Sequence, residues 1–307
     1  MAYTTIDNPT SFFNTKLTTG TGNSQAVTGL GFQPDWIWGK RRDSTGHNSL
    51  FDSVRGITKG LESNQNGAEF TSTDYYSSFD SDGFTIAAGA SGAGNGSSQT
   101  AVQWCWKAGD STSSNGDGTI TSTVSVNSTS GFSIVSYAGT GVADKTVGHG
   151  LGATPAMIIV KNRSITEEWR VWHQDLSGST YKLRLNGTDA QDSSATVFNG
   201  QSSTTFTVGT DPSVNGSGNN IIAYCFKEVK GYSKFGTYTG NGAVGGPFIY
   251  LGFKPAFFLL KETSGTDNWT LMDTKRLGYN PRNDHLFPNL NSAEYATDRI
   301  DIVSNGI

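Results

Sequence analysis

The chain has 307 residues, 39 of them Gly, with 11% aromatic and only 16% charged residues; this suits short strands joined by many turns and excludes a disordered chain, which is rich in charge and poor in rings. The formal net charge is −4 and no basic run exceeds Lys40-Arg41-Arg42, which excludes nucleic-acid binding through a basic face. No apolar run approaches 18 residues, and the start, MAYTTIDNPTSFF, carries no basic and apolar leader, so neither a membrane-spanning helix nor a secretion signal is expected.

The first strand is expected from Phe12 to Leu17, leading into Gly20-Thr21-Gly22. The turn Gly31-Phe32-Gln33-Pro34 opens an apolar strand, Trp36-Ile37-Trp38, with Lys40 six positions after the Pro. Asn48, Asp52 and Arg55 follow at fourteen, eighteen and twenty-one positions. Tyr75-Tyr76-Ser77-Ser78-Phe79 is a connecting segment rich in rings and hydroxyls. Asp80-Ser81-Asp82-Gly83 opens like a calcium loop but lacks its later glutamate, so it reads as a turn before the alternating strand Phe84-Thr85-Ile86. A Gly-rich loop, Gly89 to Ser98, lacks the Lys-Ser/Thr ending of a phosphate loop. Trp104-Cys105-Trp106 then closes the unit, with two rings on one face and a thiol on the other.

The same series recurs twice. Gly152-Ala153-Thr154-Pro155 opens Met157 to Val160 and Lys161, and Gly252-Phe253-Lys254-Pro255 opens Phe257 to Leu260 and Lys261. Trp169, His173 and Leu176 occupy the Asn48, Asp52 and Arg55 positions of the second copy, and Trp269, Asp273 and Arg276 those of the third. First strands are expected over Gly131 to Tyr137 and Gly231 to Tyr238. Thr205 to Val208 and Tyr224-Cys225-Phe226 repeat the last two strands. An internal repeat of this kind decides the architecture. The expected fold is all-β: three tandem β-sandwich units of jelly-roll or lectin-like type, over 1–110, 111–230 and 231–307. Their lysines are expected to end the central strands near solvent. Tandem modules suggest a stiff rod. Asn305-Gly306-Ile307 falls where the Phe84 strand begins, so the third unit is expected to lack its closing strand and about 25 residues.

No catalytic, cofactor or metal site is nominated. His47, His149, His173 and His285 show no ligand spacing. Cys105 and Cys225, at equivalent positions between rings, read as small reduced core residues. Glu167-Glu168 are strand neighbours that point to opposite faces, unlike a glycosidase pair. Asp52-x-x-Arg55 and Asp273-x-x-Arg276 read as local ion pairs or turns. Tyr75, Tyr76, Phe79, Trp172 and His173 are the candidate ligand or partner contacts, because rings beside polar groups suit sugar stacking or protein contact.

The combination Gly-Phe-x-Pro-Asp-Trp-Ile-Trp-x-Lys, then Asp-x-x-Arg-Gly, then a Ser-Asp-Gly-Phe strand resembles a repeat domain of bacteriophage virion proteins, familiar from tail-fibre-like and other structural proteins of marine and cyanobacterial phages. The resemblance covers essentially the whole chain, although the second copy departs with Ala153 for Phe and Leu176 for Arg. It implies a non-enzymatic virion component without cofactors, a tail fibre or similar appendage that contributes to host attachment. The implied partners are other copies of itself, other virion proteins and a host-surface glycan, with no nucleic acid and no membrane insertion. The alternative is a capsid decoration or head fibre. A virion-borne polysaccharide depolymerase is a third reading; it needs a carboxylate pair about 5–9.5 Å apart, and no sequence feature supplies one.

Overall fold

Alternation of large and small side chains sets the strands, and Gly and Pro set the turns between them. The computed structural model describes residues 4–276, 278–280, 282–297 and 300–307. It is all-β, built of several open sheets. The first copy holds β1 (Phe13–Thr19), β2 (Gln25–Val27), β3 (Trp36–Arg41), β4 (Asn48–Asp52), β5 (Lys59–Glu62), β6 (Phe70–Thr71), β7 (Tyr76–Asp80), β8 (Gly83–Ile86) and β9 (Thr100–Trp106). Two strands, β10 (Ser113–Asn115) and β11 (Ser122–Asn127), come next. The second copy holds β12 (Phe132–Ala138), β13 (Lys145–Gly148), β14 (Met157–Asn162), β15 (Arg170–His173), β16 (Tyr181–Arg184), β17 (Asp192–Ser193), β18 (Phe198–Gln201), β19 (Thr205–Val208) and β20 (Asn220–Phe226). The third holds β21 (Phe257–Leu260), β22 (Thr270–Asp273), β23 (Gly278–Tyr279), β24 (Arg282–His285) and β25 (Tyr295–Ala296).

The first two copies share one topology. A sheet of order β1-β9-β3-β4-β5-β6 faces a smaller one, β2-β8-β7. In the second copy the order is β12-β20-β14-β15-β16-β17, extended at its edge by β11 and β10, and the smaller sheet is β13-β19-β18. Nine strands thus correspond one to one. In the third copy β21 pairs with β22 as β3 pairs with β4. Ile307 exchanges backbone hydrogen bonds with Ile249, matching Phe84 opposite Val27 and Phe206 opposite Val147. The expected register therefore reaches the last residue. A Cβ on Gly83 would fall 1.8 Å from the Val27 carbonyl oxygen, and one on Gly306 2.1 Å from that of Ile249.

Each sheet pair of the first two copies encloses a core, with Ile37, Phe84 and Cys105 in one and Ile158, Phe206 and Cys225 in the other. Both cysteines are buried and free. The opposite faces of the larger sheets are buried as well. Trp36, Trp38, Trp104, Phe132, Tyr224, Trp269 and Leu271 form one cluster to which all three copies contribute. This corrects the expected rod: the copies stand around a shared core. The reason is physical, since rows such as Trp36-x-Trp38 and Trp104-x-Trp106 would expose a large apolar face if each copy stood alone.

The lysines need a second correction. Lys40 and Lys161 are 1% and 0% exposed, and only Lys261 is partly open. The strand ends expected to meet solvent instead meet the neighbouring copy.

The glycine opening each Gly-x-x-Pro turn has a positive φ, +92° at Gly31, +67° at Gly152 and +82° at Gly252. No atom lies within 4 Å of a Cβ built on Gly152, so Gly152→Ala isolates the backbone cost. It is expected to destabilise the protein by about 1–2 kcal/mol in urea unfolding. Gly83→Ala, which adds a collision with the Val27 carbonyl, is expected to cost more.

Candidate functional site

The three junctions between copies share one pattern of main-chain contacts. At six positions past each proline, a lysine ammonium donates to a backbone carbonyl of the preceding copy in the ring. Lys40 reaches Asn291 at 3.2 Å, Lys161 reaches Asn66 at 3.1 Å and Lys261 reaches Thr188 at 3.0 Å. At twelve positions past, the backbone N–H groups of Gly46, Glu167 and Asp267 donate to the same three carbonyls. At fourteen, Asn48 donates to the Phe287 and Leu290 carbonyls, Trp169 to Glu62 and Trp269 to Arg184. At eight, the carbonyls of Arg42, Arg163 and Thr263 accept from the amides of Glu294, Glu69 and Gln191, each at 2.9 Å. First on third, second on first and third on second: the ring closes.

Two junctions add a buried ionic network. Asp52 accepts from the Arg55 amide and guanidinium, and Arg55 also pairs with Glu69, which Arg163 of the second copy clamps through two nitrogens. Asp273, Arg276, Glu294 and Arg42 repeat this between the third and first copies. A ring from the next closing strand completes each network. Tyr224 donates its hydroxyl to Asp52 at 2.7 Å, and Trp104 its indole N–H to Asp273 at 2.9 Å. The Arg276 guanidinium lies 5.5 Å from the Trp104 ring centre, within range of a cation–π contact. Despite burial, the surrounding carboxylates hold Arg55 above the ordinary guanidinium range. The third junction has none of these charges: His173, Leu176, Gln191 and Thr263 stand at the four positions. All four positions lack a fixed charge together, as expected where a lone buried charge costs more than no charge.

The five aromatic candidates do not converge. Tyr76 lies buried against Phe84 with ring centres 5.5 Å apart, Tyr75 packs on Phe51 at 5.1 Å, and Phe79 joins the same first-copy core. Trp172 is buried in the second-copy core. Only His173 reaches the shared centre, 6.2 Å from Phe235. Burial of Tyr76 and Trp172 removes the ring faces that sugar stacking needs. Sequence reasoning missed the junction residues because their acceptors are main-chain carbonyls. The available signals were the lysine recurring at one offset and four neutral residues at the positions charged in the other two junctions.

Among the described residues, no group of three or more His, Cys, Asp or Glu is placed to hold a metal, and no helix is long and apolar enough to cross a membrane. The buried carboxylates and guanidinia of the two networks are engaged by one another, by the Tyr224 hydroxyl and Trp104 indole, and by backbone groups. Chemically, this arrangement holds one copy against the next within the chain.

A family model for a domain of unknown function, DUF7483, matches residues 8–307. The chain belongs to the DUF7483 family. No curated protein and no solved structure matches. The family match spans all three copies, so the ring lies within the unit that the family defines.

Two outcomes test the junctions. Arg276→Leu alone leaves the buried Asp273 carboxylate without its guanidinium partner, while half-buried Glu294 keeps Arg42, and is expected to cost about 3–5 kcal/mol in denaturant unfolding. Transplanting the whole neutral set, Arg42→Thr, Asp273→His, Arg276→Leu and Glu294→Gln, is expected to cost less than that single change. The lysines give a pH test. Burial lowers Lys40 and Lys161 to about 8, Lys40 with help from the Arg41 charge. The unfolded chain holds these protons up to about 10.5, so the native state binds fewer protons between pH 8 and 10.5 and each lysine makes stability rise with pH there. Relative to a Lys40→Met/Lys161→Met variant, the wild type is expected to gain stability across this window, by at most about 1.4 kcal/mol per pH unit per lysine. A flat difference would show that the carbonyl cradles keep both ammonium groups charged.

Proposed function

We propose that this chain is a non-enzymatic structural protein of a bacteriophage virion, built of three β-sandwich units of jelly-roll or lectin-like type over 1–110, 111–230 and 231–307. Its first assignment is a tail fibre or similar projecting appendage that contributes to host-surface attachment. The observation that carries the reading is the ring: one chain repeats the same junction three times and surrounds a common core. Phage structural assemblies rest on threefold and sixfold positions, and an internal threefold object fits such a position as one copy. The sequence resemblance to virion repeat domains supports the same reading. Its partners are other virion proteins and further copies of itself. Contact with a host glycan belongs to surfaces other than the buried Tyr76 and Trp172.

The ring favours a second reading, a capsid decoration or head fibre seated on a threefold axis, more than a rod would have done. Location and copy number in a virion reconstruction test both. Density for this chain on a projecting tail appendage is the expected result. One chain at each threefold or quasi-threefold capsid position would replace it with the head reading. Absence of the chain from purified particles would end the virion proposal.

A further inference from the structure

The sequence holds eight Asn-Gly dipeptides. Glycine has no side chain to shield its amide nitrogen, so that nitrogen can attack the preceding carboxamide wherever the carboxamide is free to swing round. The fold restrains seven of the eight. The carboxamides of Asn95, Asn115, Asn186, Asn199, Asn215 and Asn241 are all hydrogen-bonded. Gly306, which follows Asn305, is pressed against the Ile249 carbonyl, 2.1 Å from where a Cβ would fall. Asn66-Gly67 is the exception. Both residues are exposed, the Asn66 carboxamide makes no hydrogen bond among the described residues, and no atom lies within 4 Å of a Cβ built on Gly67.

The main-chain carbonyl of that same peptide group is held firmly. Lys161 of the second copy donates to it at 3.1 Å and the Glu167 amide at 2.9 Å. When the Gly67 nitrogen gives up its proton, the negative charge spreads onto this oxygen, at which an ammonium and an N–H already point. Donors fixed on a developing charge lower such a barrier. Lys161 is 0% exposed, and its other acceptor, the Glu167 carbonyl at 2.7 Å, is neutral as well. The other two junctions each lack one element. Lys40 holds the Asn291 carbonyl at 3.2 Å, but half-buried Ser292 follows in place of glycine. Lys261 holds the carbonyl of Thr188, which has no carboxamide.

We propose that Asn66-Gly67 is a self-modifying site, driven across the junction by the Lys161 ammonium. Hydroxide takes the Gly67 amide proton, and the nitrogen attacks the side-chain carbonyl carbon of Asn66. A C–N bond forms, the bond to the side-chain nitrogen breaks, and that nitrogen leaves as ammonia with a proton from water. The product is a succinimide, which water opens. Addition at the side-chain carbonyl gives aspartate and addition at the main-chain carbonyl gives isoaspartate; either way the ring nitrogen recovers a proton as its bond to that carbon breaks. Lys161 favours isoaspartate, because it polarises the main-chain carbonyl and then faces the carboxylate made from it. A neutral hydrogen bond of the second copy on the first thereby becomes an ion pair. The site does not depend on the virion assignment.

The test is incubation of the purified protein near neutral pH, followed by peptide mass spectrometry with isoaspartate separated from aspartate by isoaspartyl methyltransferase labelling. Asn66 is expected to lose ammonia at least tenfold faster than Asn291 and the other seven Asn-Gly positions, with isoaspartate in excess. Lys161→Met is expected to slow the reaction at least threefold and to lower the isoaspartate share, and Lys161→Arg to restore both. A pH series needs no loss of the cation. Burial lowers Lys161 to about 8 against the Glu167 and Glu168 charges, which raise it. The wild-type rate is therefore expected to rise with hydroxide and to bend to a shallower rise near pH 8, whereas Lys161→Arg continues without a bend. Three results would each overturn the proposal: an Asn66 rate no faster than at the other Asn-Gly positions, an equal or faster rate with unchanged products in Lys161→Met, or a wild-type profile that matches Lys161→Arg over the whole alkaline range.

Discussion

Burial of both faces of the larger sheets is the constraint on which the molecule rests. A sheet with one wet face alternates apolar and polar residues, whereas one covered on both faces is apolar throughout. Here Ile37 and Cys105 serve the sandwich interior, while Trp36, Trp38, Trp104 and Trp106 on the reverse face serve the shared centre. No copy can satisfy that reverse face by itself. The ring follows from this need, and the lysines and the ionic networks are placed by it.

The junctions then combine a uniform layer with a variable one. The uniform layer is main-chain: the same carbonyls and amides meet at all three junctions whatever the side chains. Such contacts fix register without constraining sequence; beside them, Asn48, Trp169 and Trp269 each donate from the side chain to a carbonyl of the neighbouring copy. The variable layer is ionic, present twice and absent once. Separating the partners of a buried ion network is costly, while replacing the whole set by neutral residues is not. With two junctions charged and one neutral, the copies cannot exchange places without stranding charge.

Much of the fold was legible in the sequence. Strand positions, the Gly-x-x-Pro turns, the Asp-x-x-Arg pairs and the inward thiols are local features, readable from spacing and alternation. Even the register of Gly306 against Gly83 held, because a glycine pressed against a carbonyl leaves a fixed mark in the chain. The closed ring was not legible. Its contacts run from side chains to carbonyls of distant loops, and a carbonyl has no residue type. Lysine is seldom fully buried, so Lys40 and Lys161 read as solvent-facing ends. Tyr75, Tyr76 and Phe79 looked like a surface cluster because a connecting segment was assumed to lie outside, whereas it forms β7 and closes over the first core.

The covalent continuity of the three copies has a consequence for how such an object varies. In a homotrimer any substitution occurs three times, so a neutral junction would have to be neutral everywhere. Joined in one chain, the copies meet at a high effective concentration, and the residues of each junction are specified separately. His173 and Leu176 are what that freedom permits. A symmetric trimer of identical chains cannot place one histidine against two aspartates; a chain that carries three copies can, and its ring presents three different surfaces.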